Sequence, residues 1–123
     1  MMTQTLETFE KKSFARPDET RVFEKGRLDL VTVGDVTFGR ATLRPGWKWS
    51  TCVKPLVHTE FCEAGHLQYQ LSGRLHARMQ DGTEFETGPG EVVSIPPGHD
   101  AWVVGSETVV AVDISGMRDY AKH

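Results

Sequence analysis

Long apolar runs are missing from this sequence. The longest uncharged ones, such as residues 109–112, are far too short to cross a bilayer, which excludes membrane-spanning helices. Basic excess is missing too: the net charge is −3, so no basic surface is expected to recruit nucleic acid through its phosphates. The opening residues MMTQTLETFEKKSFARP lack the apolar core of a secretory signal, and the expected location is the cytoplasm. Cysteine is scarce. Cys52 and Cys62 cannot make a disulfide framework, and in a reducing compartment they are expected to be free thiols. Helical periodicity is nearly absent, with a weak tendency only over residues 7–14. There is no phosphate loop, no Gly-x-Ser-x-Gly elbow and no His-x-x-x-His pair for a helix face.

What is present is a ladder of short runs rich in Val, Thr, Phe and Trp. They fall at 28–33, 36–43, 47–53, 67–71, 75–79, 84–86, 92–95, 101–104 and 108–114, and each reads as a strand. Gly, Pro and Asp separate them, as in Gly34-Asp35, Pro45-Gly46, Ser72-Gly73, Gly88-Pro89-Gly90 and Pro96-Pro97-Gly98. Gln80-Asp81-Gly82-Thr83 predicts a two-residue hairpin turn, because Asp-Gly tolerates positive φ. Nine short strands in 123 residues define one all-β domain, a sandwich, jelly roll or small barrel. The polar residues 1–25 read as an N-terminal arm, either a strand that pairs with a sheet edge across a dimer or a segment folded back on its own chain. Residues 26–114 read as the barrel, and 115–123 as a loosely packed tail that includes His123.

The chemistry concentrates in one stretch. His58, Glu60, Cys62 and His66 fall within nine positions, after which Leu67, Tyr69 and Leu71 alternate with Gln68 and Gln70. In extended chain His58, Glu60 and Cys62 share one face, as do His66, Gln68 and Gln70. If those faces meet, thiolate, imidazole and carboxylate converge in a set that suits Zn²⁺, with Fe²⁺, Ni²⁺ or Cu as alternatives. The opposite assignment, with Leu67, Tyr69 and Leu71 in the core and the polar residues in water, has the same period. Cys62 is also a candidate nucleophile beside an imidazole, though the sequence identifies no third group to orient that imidazole. His76 and Arg78 either extend a polar lumen or face solvent on a hairpin, and Trp49 and Trp102 are candidates for the wall of a ligand pocket. Cys52 is expected to pack as a small hydrophobe beside Trp47 and Trp49, and Asp100 to be a turn residue.

Two segments carry a family resemblance. Gly90-Glu-Val-Val-Ser-Ile-Pro96-Pro-Gly98 resembles the second cupin motif, and residues 46–73, opening on Gly46 and closing on Gly73, resemble the first. With "PGWKW", "GRLH.RM.DG" and "IPPGHDAWVVG", the chain is similar to small single-domain bacterial cupins over about residues 31–114. The resemblance implies a double-stranded β-helix, that is, a jelly-roll barrel of two antiparallel sheets. It also implies a homodimer and a metal held by two histidines, a glutamate and a third histidine. The family's glutamate position falls on His66, its first two histidines on Glu60 and Cys62, and its last histidine on Ala101. None matches in identity, yet three of the four are metal-competent, and His99, two residues from position 101, shares its strand face.

The resulting expectation is a cupin that binds a divalent metal through Cys62, His66, His99 and Glu60. Its pocket for a small molecule is lined by Gln68, Gln70, His76, Arg78, Trp49 and Trp102. Two rivals stand beside it: a non-catalytic ligand-binding or sensor cupin without metal, and a metal-free isomerase or epimerase using His66 and another imidazole. Whether the chain is an enzyme, and on which molecule it would act, is left open at this level.

Overall fold

In the computed structural model, residues 8–114 and 120–121 are described. Nine strands follow one another: β1 (Glu19–Phe23), β2 (Gly26–Val33), β3 (Val36–Leu43), β4 (His66–Ser72), β5 (Arg74–Met79), β6 (Glu84–Thr87), β7 (Val92–Ile95), β8 (His99–Val104) and β9 (Val109–Asp113). They form a six-stranded sheet in the order β1-β2-β3-β9-β4-β7 and a three-stranded sheet in the order β6-β5-β8, every pairing antiparallel. The two sheets face each other across a lumen, which makes the jelly-roll barrel that the strand ladder and the motif resemblance lead one to expect.

Alternation decides which side chains enter that lumen. On β4, Gln68 and Gln70 are buried while Leu67, Tyr69 and Leu71 are exposed, so the polar residues face inward. On β5 the parity is the reverse of the lumen reading: Leu75 and Ala77 are buried and Arg78 is exposed. The six-stranded sheet consequently carries on its outer side a cross-strand apolar row, exposed Val92 and Tyr69 followed by half-buried Val112. The core fills with Leu28, Trp49, Val53 and Val109, each nearly or completely buried. Burying side chains of this size stabilises by roughly 1.5–3 kcal/mol apiece.

Three local expectations are corrected. The run 47–53 is not a strand; it contains α1 (Trp49–Cys52), followed at once by α2 (Lys54–Val57). Pro55 lies in the first turn of α2, where its missing N–H costs nothing, and Asp100 on β8 accepts from the Ser50 N–H at 3.0 Å. Asp100 is therefore a strand residue that anchors α1 rather than a turn residue. The hairpin after β5 has a three-residue loop, since Met79 pairs with Thr83 (N···O 2.7 Å) and Gly82 sits at φ +93°.

The arm folds back on its own chain. Asp18 accepts from the Thr32 N–H at 2.8 Å, Glu10 from the Gly34 N–H at 3.2 Å, and Arg40 lies over the Phe14 ring. Beneath it Asp29, 0% exposed, receives Arg27, Arg40 and the Thr20 hydroxyl, with closest contacts of 2.7, 3.1 and 2.9 Å. Burial pushes this carboxyl up, but those hydrogen bonds outweigh it and hold Asp29 below the usual carboxylate range. A depressed folded-state pKa contributes stability above the unfolded value, about 3.9, and loses it as pH falls through the folded value. The melting-temperature gap between wild type and Asp29→Asn should therefore be widest near neutrality and narrow towards about pH 3. An unchanged gap would mean that the carboxylate's charge adds nothing.

Candidate functional site

Three segments bring three soft or borderline donors together. Cys62 lies between α2 and β4 and is tied to β8 by an isolated bridge: its N–H donates to the His99 carbonyl (2.8 Å) and its carbonyl accepts from Gly98 N–H (2.7 Å). His66 opens β4 and His99 opens β8. The ligand atoms of Cys62, His66 and His99 all lie within 4.8 Å of one another. Cys62 Sγ is 3.8 Å from His66 Nε2, close to the ~3.5 Å edge that Zn–S and Zn–N bonds span in a tetrahedron.

Each imidazole is oriented from behind. His66 Nδ1–H donates to Asp113 Oδ2, and Asp113 Oδ1 accepts from the Leu67 N–H at 3.1 Å. His99 Nδ1–H donates to the Pro96 carbonyl at 2.9 Å. Both rings thus leave Nε2 for the cluster, the outer hydrogen bonding that metal-ligating histidines commonly have. The donor set and its support fit a divalent metal, and three donors leave a position for water or substrate.

Without a metal the same groups polarise one another. Burial pushes the Cys62 thiol up, but hydrogen bonds from His66 and His99 overcome it and bring its pKa down to about 7. Burial disfavours the charged form of His66, yet Asp113 and then Cys62 raise its pKa to about 9. Tyr120 stands edge-on to the His66 ring, and burial together with the charges of Cys62 and Asp113 keeps its phenol protonated well beyond the usual range.

The cluster lies between two cavities. The lumen behind it is a void of about 40 Å³ bordered by His66, Gln68, His99, Asp113, Trp47 and Trp49 among others. In front, a cavity of about 350 Å³ is lined by Cys62 and mostly apolar residues, including Trp49, Val53, Val57 and Ala64. Tyr120 borders both, so this part of the segment 115–123 packs against the site rather than lying loosely on the surface.

Of the residues singled out in the sequence, Cys62, His66, His99, Gln68 and Trp49 meet here. Glu60 does not: its side chain is 81% exposed and pairs with Lys54 at 3.8 Å, because the chain between α2 and Cys62 is not extended. Gln70 points inward but is no pocket group. Its Nε2 donates to the Gly73 and Thr87 carbonyls (2.7 and 3.2 Å) and its Oε1 accepts from the Thr87 hydroxyl (2.5 Å), so it pins the end of the barrel. His76 bonds Glu84 at 2.7 Å and stacks on Trp102 at 4.8 Å, and Arg78 is exposed; all three lie on the outer face of the smaller sheet. Cys52 is a free, buried thiol within the core, and His58 is exposed at the end of α2. Asp113 and Tyr120 were not expected. Asp113 had a legible signal: it occupies the inward parity of Val109 and Ala111 at the end of an apolar strand, where a carboxylate needs a partner.

No family model matches the sequence, and no curated protein matches it either. Solved structures do. The polyketide cyclase RemF from Streptomyces resistomycificus superposes with a TM-score of 0.61 at 18% identity, over 88% of this chain and 79% of that one. A cupin-like protein from Thermotoga maritima gives 0.55 at 16%, over 76% and 70%. Peruvianin-I, a cysteine peptidase from Thevetia peruviana latex, gives 0.56 at 21%, over 88% and 71%. With the two-sheet barrel, these likenesses define the fold: the chain has the small jelly-roll barrel of the cupin type.

Proposed function

We propose that this cupin holds a divalent metal, Zn²⁺ foremost, through Cys62, His66 and His99, and binds a small organic molecule in the cavities on either side of that group. The carrying observation is the convergence of three donors from separate segments, with both imidazoles oriented from behind by Asp113 and Pro96. A bound ion of this kind would supply Lewis acidity or activate water. The chain's own residues do the rest. Asp113 fixes the His66 tautomer, Trp49 and Tyr120 border the space beside the donors, and Val53, Val57 and Ala64 offer an apolar wall to the molecule's body. Elemental analysis of protein purified without chelator should find close to one metal per chain. A clearly substoichiometric content that added Zn²⁺ does not restore would overturn the reading.

A second reading rests on the same Asp113–His66–Cys62 chain, which is the arrangement of a thiolate nucleophile with an oriented base. The solved neighbour named as a cysteine peptidase makes that alternative concrete. Alkylation separates the two. A metal-bound Cys62 should react with iodoacetamide only after chelation, whereas a free nucleophile reacts at once and is blocked by His66→Ala.

A further inference from the structure

Two hydrogen-bond donors on the lumen wall have no acceptor among the described residues. Trp47 Nε1 and Gln68 Nε2 are shut off from solvent and make no hydrogen bond, in residues only 3% and 8% exposed. Both residues border the same 40 Å³ void as His66, His99 and Asp113. Buried N–H groups nearly always find an acceptor, so two on one cavity wall mark a place shaped for something other than protein. Arg40 Nε shares their unpaired state but is not part of the void's lining; its guanidinium lies over the Phe14 ring of the arm.

Size and charge narrow the occupant. The void has the volume of little more than one water, enough for a carbonyl group but not for a whole molecule. The body of such a molecule has the 350 Å³ cavity beyond Trp49 and Tyr120, which border both spaces. Among the described residues the void is lined by no lysine or arginine, and His66, its basic group nearest a carboxylate, is already hydrogen-bonded to Asp113. A ligand carboxylate there would be a second buried negative charge without its own cation, whereas a neutral carbonyl needs only the two neutral donors.

We infer that the lumen is a subsite for the oxygen of a neutral carbonyl compound, gripped by Trp47 Nε1–H and Gln68 Nε2–H, whose apolar body fills the outer cavity. The inference names the ligand class for the site proposed above and takes its location from that reading, but it does not require the metal to be bound.

The test is side-chain NMR of ¹⁵N-labelled protein, as purified and again after chelation, titrated with phenylacetone, phenylacetate and propylbenzene. The Trp47 indole signal is assigned from Trp47→Phe and the Gln68 carboxamide signals from Gln68→Leu. Phenylacetone should shift both sets and bind at least about tenfold more tightly than propylbenzene, a preference that Gln68→Leu abolishes. Gln68→Leu alone carries the mutational arm if Trp47→Phe does not fold. Equal binding of phenylacetone and propylbenzene, no shift with any probe, or signals showing only a trapped water would each overturn the inference. So would tighter binding of phenylacetate, which would make the subsite anionic. Shifts that persist after chelation of metal-loaded protein support the subsite and leave the metal reading standing, whereas shifts in protein that never held metal support the subsite while the metal reading fails separately.

Discussion

Cys62→Ser should strip the chain of its metal, with a loss of affinity beyond the ~10–100-fold that removing an outer hydrogen-bond partner causes. Serine replaces a thiol brought down to about 7 by a hydroxyl that stays protonated near neutrality, and so removes the softest donor from a set of three. His66→Ala should have a similar effect. Asp113→Asn should fall within the ~10–100-fold range, because it keeps the shape while weakening the bond that orients His66. Glu60→Gln should leave affinity unchanged, since Glu60 is exposed and pairs with Lys54. Competition against a chromophoric chelator measures all four. Stoichiometric metal retained in both Cys62→Ser and His66→Ala would move the site elsewhere in the molecule.

Gly73→Ala should be strongly destabilising. Gly73 sits at φ +75°, which costs an L-residue roughly 1–2 kcal/mol, and a Cβ there would lie 2.8 Å from the Thr108 carbonyl oxygen and from Val109 Cα. Backbone atoms cannot turn aside as a flexible side chain can, so an overpacking cost of about 1–3 kcal/mol is added. The sum, about 2–5 kcal/mol, is a large share of the stability of a small domain and should lower Tm by roughly 10–20 °C. The Gly73 carbonyl also accepts from Gln70, so any shift of this turn disturbs the clamp at the barrel's end. Gly82→Ala is the control: its φ is +93° but a Cβ would meet nothing within 4 Å, so only the conformational cost remains. Equal melting temperatures for the two variants would show that the close approach at Gly73 is relieved without cost.

These two residues show how unevenly the molecule was legible. Gly73 closes a motif, and its value as a landmark comes from a backbone need that only glycine meets cheaply, so the sequence states it directly. Strands β3 and β7 coincide with their apolar runs, and the other predicted strands except the run 47–53 lie within a few residues of observed ones, because alternation and Gly or Pro punctuation are local properties. Strand β1 (Glu19–Phe23) fell in the polar segment read as an arm. The short helices α1 and α2 escaped the same reading. Trp47-Lys-Trp49 has the composition of a strand, and what turns it is burial of Trp49 together with the hydrogen bond from Ser50 to the distant Asp100.

The candidate site divides along the same line. Residue types and spacing nominated Cys62 and His66, and strand parity nominated His99, since each of those arguments depends on nearby positions only. Parity without a reference cannot say which face is inside: Gln68 faces inward, while His76, Arg78 and Trp102, with the same alternation, lie outside. Glu60 failed because its segment is not extended, so a two-residue step no longer keeps a face. Asp113 lies 47 residues from His66, and Tyr120 lies beyond the last strand. By itself the sequence determined an all-β barrel and the residue types at its mouth, through periodicities that a single segment carries. Only the tertiary structure decided which of those residues meet, what orients His66, and where two buried donors are left without a partner among the described residues, because cross-strand register and sheet closure are set by packing between segments distant in the chain.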